Sequence, residues 1–333
     1  MKRIAIIGGG SWGTALAIVA ARNSHQVRLW TRNPEVVDSI NRLHVNSVYL
    51  ANAEMPESIL ATSRFEEGLD GAEMVILAAP SHATRELLLE MSPSLTREMI
   101  FVSATKGIEI DTGKRMSQVL NDVVKAEFQP RFVCLSGPSF AKEVVEGHPT
   151  AVVAASVDAN DRHLVQTALS FENFRIYAND DVVGTELGGS VKNVMAVAAG
   201  MVAGLGLGTN SVAALITRGL AEMSRLALHE GARIETLMGL AGLGDLVLTC
   251  TGSLSRNRHV GEELGRGRTL AQITSSMSEV AEGVNTTRAV RNLARKLSVE
   301  MPITDQVCAV LYEGRSASDA ATELMIRPLQ EEF

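Results

Sequence analysis

The feature that most narrows the choice of fold lies at the N-terminus. A short apolar run, Arg3-Ile4-Ala5-Ile6-Ile7, passes directly into Gly8-Gly9-Gly10-Ser11-Trp12-Gly13 and then into the helix-forming stretch Thr14-Ala15-Leu16-Ala17-Ile18. A strand, a G-x-G-x-x-G turn and a helix in that order are the fingerprint of a dinucleotide site. Each glycine has a physical reason. Gly8 permits the tight turn, Gly10 lets the backbone approach a pyrophosphate, and Gly13 allows close packing of helix on strand. Free N–H groups and the positive end of the helix dipole then face the phosphates.

The first half of the chain keeps this alternation. Apolar runs at 3–7, 26–30, 73–79, 99–104, 131–135, 150–156 and 174–178 read as strands, several of them unbroken Val/Ile/Ala segments. Unbroken runs are what strands buried on both faces look like. Helical patterns lie between them at 12–23, 82–91, 113–126, 140–146 and 158–170. Such β–α alternation predicts a parallel sheet covered by helices. After about residue 181 strand signals fade. Helical patterns follow at 188–203, 211–229, 233–240, 258–265, 270–277, 286–297, 304–312 and 316–325, separated by glycines and polar clusters. The 333 residues fit two domains at about 150 residues each: an α/β domain over 1–185 and an all-helical domain over 186–333.

Composition excludes several classes. Hydrophobic residues make up 46% of the chain and charged residues 21%, which supports a large core and argues against global disorder. The 31 basic and 38 acidic residues leave a net charge of −7. No nucleic-acid partner is expected, because such binding needs a dense basic face; a local anion pocket is compatible with this balance. Cys134, Cys250 and Cys308 show no CxxC and no regular spacing, which points to packed thiols rather than disulfides or zinc. His25, His44, His82, His148, His163, His229 and His259 contain no i, i+4 pair, so no metal is expected. The N-terminus lacks the pattern of a signal peptide. The longest apolar run, at 194–208, has 15 residues, short of the roughly 20 that a bilayer crossing requires. The expectation is a cytoplasmic protein without membrane insertion, whose apolar helical half can support a homodimer.

The run at 26–30 ends in Thr31-Arg32-Asn33. An NAD-selective site places Asp or Glu here, about 20 residues past the glycines, and none is present. Arg32 suits a 2′-phosphate, which a guanidinium can pair in a bidentate fashion. NADP(H) is therefore expected as the preferred cofactor, with NAD(H) accepted. Ligands of a doubly wound sheet gather at the carboxyl ends of its strands. Two such ends carry suitable groups: Lys106 in Ser103-Ala104-Thr105-Lys106-Gly107, and Ser136-Gly137-Pro138-Ser139, where Ser139 can cap a helix and offer its hydroxyl to a ligand. A surface lysine and a simple cap are the alternatives.

In the helical half, Gly188-Gly189-Ser190-Val191-Lys192-Asn193 opens an apolar helix. Lys192 there either snorkels or enters a polar site, and a desolvated lysine has a lowered pKa suited to acid–base work. Asp245, in Gly242-Leu243-Gly244-Asp245, needs a partner if buried, or else caps a helix. Ser253-Leu254-Ser255-Arg256-Asn257-Arg258 collects hydroxyls, an amide and guanidiniums at a helix start, which is either anion-binding chemistry or a capped surface turn.

Taken in order, the motifs resemble those of one family. Gly8-Gly9-Gly10-Ser11-Trp12-Gly13, Ala104-Thr105-Lys106-Gly107, Leu135-Ser136-Gly137-Pro138-Ser139-Phe140-Ala141, Gly188-Gly189-Ser190-Val191-Lys192-Asn193, Gly239-Leu240-Ala241-Gly242-Leu243-Gly244-Asp245, Ser255-Arg256-Asn257 and Val280-Ala281-Glu282-Gly283 follow the sequence seen in bacterial NAD(P)-dependent sn-glycerol-3-phosphate dehydrogenases. The resemblance covers nearly the whole chain. It implies a Rossmann-type doubly wound α/β sheet followed by an all-helical C-terminal domain, the 6-phosphogluconate-dehydrogenase-like arrangement. It also implies reversible reduction of dihydroxyacetone phosphate to sn-glycerol 3-phosphate, a phospholipid precursor.

On this resemblance Lys192 is the acid/base. Lys106, Gly137, Ser139, Lys192, Asp245, Ser255, Arg256 and Asn257 hold the phosphorylated substrate. Gly8, Gly10, Ser11, Trp12, Gly13, Arg32, Tyr49, Lys106, Ala141, Arg256, Val280 and Glu282 hold the cofactor. Tyr49 lies in Tyr49-Leu50-Ala51-Asn52, where the family often has proline after the leucine, and that departure leaves the loop's shape open. Two rival readings stand beside this one. A dehydrogenase for another phosphorylated or carboxylated small molecule needs only a changed pocket at 255–257. A catalytically silent NADP(H) sensor would not need Lys106, Lys192 and Asp245 together.

Overall fold

In the computed structural model, which describes residues 1–277 and 281–328, the unbroken apolar runs become buried strands. The strands are β1 (Arg3–Ile7), β2 (Gln26–Trp30), β3 (Val45–Asn46), β4 (Leu50–Glu54), β5 (Ile59–Thr62), β6 (Met74–Leu77), β7 (Ile100–Ser103), β8 (Arg131–Ser136), β9 (Thr150–Ala155) and β10 (Phe174–Asn179). Side chains alternate across the sheet. Ile4, Ile6, Met74 and Ile76 enter one core with Leu16 of the Ser11–Arg22 helix. Ala5, Ile7, Val75 and Leu77 enter the opposite core with Leu88 and Leu120 of the Thr84–Met91 and Met116–Val124 helices. Burial on both faces explains why these runs show no polar alternation.

One sheet of eight strands has the order β10-β9-β8-β7-β6-β1-β2-β5, and β3 pairs with β4 in a separate antiparallel hairpin. The chain moves outward from β1 to β2 and β5, then returns to β6 on the other side of β1. That reversal is the topological switch point, where doubly wound sheets bind ligands. The sheet is not wholly parallel as expected. β9 runs antiparallel to β8, with β10 parallel to β9. A continuous Val/Ala run such as Thr150–Ala155 reads the same in either direction. The strand β5 and the β3–β4 hairpin also went unforeseen, because they are short and carry exposed and polar residues.

From Val182 onward the described residues form helices joined by turns. The Val182–Gly204 helix is the axis of a second core, where Leu187, Val191, Val194 and Met201 meet Met223, Leu246, Val260, Val290 and Val307 of surrounding helices. This helix begins earlier than the expected 188 because Asp181 caps it, accepting a hydrogen bond from Gly184 N at 2.8 Å. Lys192 therefore lies in mid-helix rather than near its start. By length and composition alone the helix could cross a membrane, but 83% of its apolar window is buried inside the protein, as in a core helix. The Arg256–Gly265 helix touches it at backbone distance: a Cβ on Gly200 would stand 2.0 Å from the carbonyl oxygen of Arg258, and one on Gly261 1.9 Å from that of Val197. This contact sets where Ser255, Arg256 and Asn257 come to rest.

Candidate active site

The carboxyl ends of four strands carry the predicted groups. The glycine turn follows β1, Arg32 follows β2, Lys106 follows β7, and Gly137 and Ser139 follow β8. Gly8 has φ +124°, and a Cβ on it would stand 2.8 Å from the backbone of Ala78. A Cβ on Gly13 would lie 1.9 Å from the carbonyl oxygen of Gly8, whereas Gly10 has open space where a Cβ would be. The Ser11–Arg22 helix starts here with no side-chain cap and no acidic residue in its first turn. Its N-terminal N–H groups and dipole thus face an open approach. The indole N–H of Trp12 is a buried donor with no partner among the described residues. A bare helix start, an open glycine and an orphaned donor fit the pyrophosphate of a dinucleotide.

The Tyr49 loop is fixed despite its missing proline. Asn46, fully buried, donates to the carbonyl oxygen of Gly9 at 2.8 Å and to Thr14 Oγ1 at 2.7 Å, and accepts from Tyr49 N at 3.1 Å. Ser11 Oγ donates to the carbonyl oxygen of Tyr49 at 3.0 Å. Trp12, Tyr49 and Ala141 all lie partly buried against the same sheet core. Asn46 escaped sequence reasoning because a single asparagine in a polar stretch carries no pattern. Arg32 is 54% exposed, and its Nη2 donates to Glu86 at 3.4 Å and Glu90 at 3.3 Å. Exposed pairs of this kind are worth about 0–1 kcal/mol, so a phosphate can compete for the guanidinium.

The centre of the site is a carboxylate held by two lysines. Lys192 Nζ donates to Asp245 Oδ1 at 2.7 Å and to Thr249 Oγ1 at 2.7 Å. Lys106 Nζ donates to Asp245 Oδ2 at 2.7 Å and to the carbonyl oxygen of Gly137 at 2.8 Å. Asp245 is 1% exposed and Lys192 6%. Burial pulls the Lys192 ammonium down from the usual lysine value to about 8, although Asp245 opposes the shift. Burial alone would raise the Asp245 carboxyl, but Lys106 and Lys192 together hold it below its ordinary value. Asp245 does not act as a helix cap. It opens the Asp245–Thr251 helix directly after a wide turn in which Gly244 N donates to the carbonyl oxygen of Gly239. Wide turns of this type recur at functional sites.

The remaining candidates fall around this centre. Ser139 does not cap the following helix; Phe140 occupies the cap position before Ala141–Val145, and Ser139 Oγ donates back to the carbonyl oxygen of Gly137 at 3.2 Å. Ser255, buried, caps the Arg256–Gly265 helix by accepting from Arg258 N at 3.2 Å. Its hydroxyl proton remains to be offered to an anionic ligand. Asn257 donates to Asn193 Oδ1 at 2.9 Å and accepts from Gly283 N at 2.8 Å, and Asn193 Nδ2 donates to the carbonyl oxygen of Lys106 at 3.2 Å. Arg256, exposed, stands at the same helix start. Glu282 accepts from Ser81 N at 3.1 Å and Ser81 Oγ at 2.7 Å, tying the helical half to the turn after β6, and burial raises its carboxyl. Val280 lies outside the described residues. Thr249 and Asn193 were not singled out from the sequence. Their signal was available in principle, since polar residues in apolar helices need partners.

Comparison with known proteins follows the same line. The family profile for the NAD-dependent glycerol-3-phosphate dehydrogenase N-terminus matches residues 3–162, and that for the C-terminus matches residues 181–322. A glycerol-3-phosphate dehydrogenase (NAD(P)+) of Koribacter versatilis is 56% identical over 330 residues, covering 98% of each chain. One from Myxococcus xanthus is 50% identical over 331 residues, covering 99% of each. The crystal structure of glycerol-3-phosphate dehydrogenase from Coxiella burnetii superimposes with a TM-score of 0.94 at 41% identity, covering 98% of this chain and 99% of that one. A ketopantoate reductase from Ralstonia eutropha JMP134, at 16% identity and a TM-score of 0.60 over 96% of this chain and 99% of that one, shares the fold alone.

Proposed function

This chain belongs to the NAD(P)-dependent glycerol-3-phosphate dehydrogenase family, and on that footing we propose that Lys192 is the proton donor and acceptor in its interconversion of dihydroxyacetone phosphate and sn-glycerol 3-phosphate. The observation that carries this reading is the Asp245 carboxylate bridged by Lys106 from the sheet half and Lys192 from the helical half. Bound NAD(P)H supplies the hydride. An ammonium has three N–H donors, and Asp245 and Thr249 take two of those on Lys192. The third is directed to the ketone oxygen of the substrate, where it stabilises the developing alkoxide and then transfers as a proton. In the oxidative direction the neutral amine takes the proton back. Asp245 keeps Lys192 oriented, and Lys106 holds the substrate from the opposite side.

The phosphate of the substrate is the natural ligand for the start of the Arg256–Gly265 helix. Arg256 supplies a cation there, with Ser255 and Asn257 beside it, and Gly137 and Ser139 close the pocket. Binding energy spent on the phosphate holds the carbonyl in reacting position. Arg256→Ala is expected to raise the KM for dihydroxyacetone phosphate by roughly 10- to 100-fold, with a smaller effect on kcat. An unchanged KM in steady-state assays would remove Arg256 from the phosphate site.

The glycine turn, Trp12, Tyr49, Ala141 and Glu282 hold the cofactor in this reading, and Arg32 selects NADPH over NADH. Arg32→Asp should weaken NADPH by roughly 10- to 100-fold and leave NADH nearly unaffected. Equal affinities before and after the change, measured by fluorescence titration of both cofactors, would reject that role. The reaction itself is tested by following NADPH absorbance at neutral pH. Loss of absorbance on adding dihydroxyacetone phosphate is expected, and no loss would contradict the assignment of substrate.

A further inference from the structure

The segment 105–117, which follows β7 and ends in the first turn of the Met116–Val124 helix, belongs to the sheet half in sequence but is fastened to the helical half at both ends. Lys106 is bonded to Asp245 by its ammonium and to Asn193 by its carbonyl. Ile108 is fully buried and belongs to the core of the helical half, with Leu187 and Val191, rather than to either core of the sheet. At the far end Glu186, 6% exposed, accepts from Ser117 N at 2.7 Å, from Ser117 Oγ at 2.6 Å and from Arg115 Nη1 at 2.6 Å. A buried carboxylate with three such donors is a firm tether, since hydrogen bonds to charged groups are the strong ones. Ties to the sheet half include Thr105 Oγ1, which donates to the carbonyl oxygen of Ala79 at 2.8 Å, Lys106 Nζ, which donates to that of Gly137 at 2.8 Å, the Arg85–Glu109 pair at 2.8 Å, and Met116, buried in a core of the sheet.

Glu186 and Lys192 sit on one helix, Val182–Gly204, six residues and thus about 9 Å apart along its axis. That helix is rigidly packed, so a segment pinned to it keeps its place relative to Lys192. We propose that Glu186 is a positioning residue for the reaction: by anchoring residues 115 and 117 to the helix that carries Lys192, it keeps the Lys106 ammonium on Asp245. The proposal rests on the reading that Lys106 and Lys192 serve the substrate together.

Glu186→Gln keeps the size of the side chain and loses the charge that holds Arg115 and Ser117. It is expected to lower kcat by roughly 10- to 100-fold, the effect of a small misplacement at a reacting centre, while NADPH affinity stays within about twofold. The second readout is the alkaline limb of the reductive rate. Asp245, Lys106 and Cys250 are the titratable groups that face Lys192, and the charge of Lys106 pushes the Lys192 pKa down. A displaced Lys106 therefore moves that limb upward from about 8. A residue that only stabilises the fold would lower the melting temperature and the active fraction but leave the limb in place. Ser117→Ala loosens the same tether from the other side and should act in the same direction. Wild-type kcat and an unmoved limb in both variants, while Lys106→Ala shifts the limb, overturns the positioning role alone. A Lys106→Ala enzyme with wild-type rate and limb overturns the role of Lys106, and the proposal with it.

Discussion

Lys192→Ala is expected to lower kcat by roughly 10³- to 10⁴-fold, at the upper end of what a positioned general acid contributes, while NADPH binds almost as tightly as before. The separation follows from the architecture. On the proposed reading the dinucleotide rests chiefly on the turn after β1, whereas Lys192 lies in the middle of the Val182–Gly204 helix and its ammonium bonds, among the described residues, to Asp245 and Thr249 of the helical half. The unchanged enzyme should show a matching pH dependence. Burial brings the Lys192 pKa to about 8. Reduction needs the ammonium and so falls as pH rises through about 8, and oxidation needs the amine and so rises through the same pH. The same shift has a stability consequence. Lys192 has a lower pKa folded than the ordinary 10.5, so between about 8 and 10.5 the unfolded chain binds more protons, and this residue's contribution to stability increases with pH across that window. Equal loss of turnover and NADPH binding in Lys192→Ala would mean misfolding or a different role.

Asp245→Asn is the second large effect. The substitution leaves two cations, one of them buried, around a neutral amide. Removing one partner of a buried ion pair costs about 3–5 kcal/mol, to be read by denaturant unfolding. Asp245 also raises the Lys192 pKa, so without it the alkaline limb of reduction moves below 8, opposite to the shift expected for Glu186→Gln. At neutral pH less of Lys192 is then charged, and kcat should fall by about 100-fold or more. An unmoved limb in Asp245→Asn would show that the carboxylate does not tune Lys192.

The amino-acid sequence announced the glycine turn and the strands with long apolar runs through local patterns, whereas Lys106, Lys192 and Asp245 each kept a structural alternative and came together as a site only through the family resemblance. Gly13 is dictated by its approach to Gly8 and Gly8 by its own positive φ, both local constraints, and Lys192 and Asp245 stand out as charges in apolar surroundings. Features set by distant partners stayed hidden. The antiparallel direction of β9 follows from the path of the connection at 137–149, which contains the Ala141–Val145 helix, not from the residues of β9 itself. Ser139 resembles a cap, yet its hydroxyl prefers the nearby carbonyl of Gly137. Asn46 and Glu186 act through residues far along the chain, Gly9 for one and Ser117 for the other. Nothing near either position in the sequence signals those partners. The helix carrying Lys192 starts at Val182 because of the Asp181 cap, a signal present in the sequence but overshadowed by the glycines at 188 and 189.

The most direct measurement is a crystal structure of the closed enzyme with NADPH and a non-reacting analogue of dihydroxyacetone phosphate bound. Lys192 Nζ is expected within about 2.6–3.2 Å of the oxygen that stands for the ketone, still bonded to Asp245, with the phosphate at the start of the Arg256–Gly265 helix. A filled and closed site in which that oxygen meets another donor, and Lys192 stays out of reach, would contradict it.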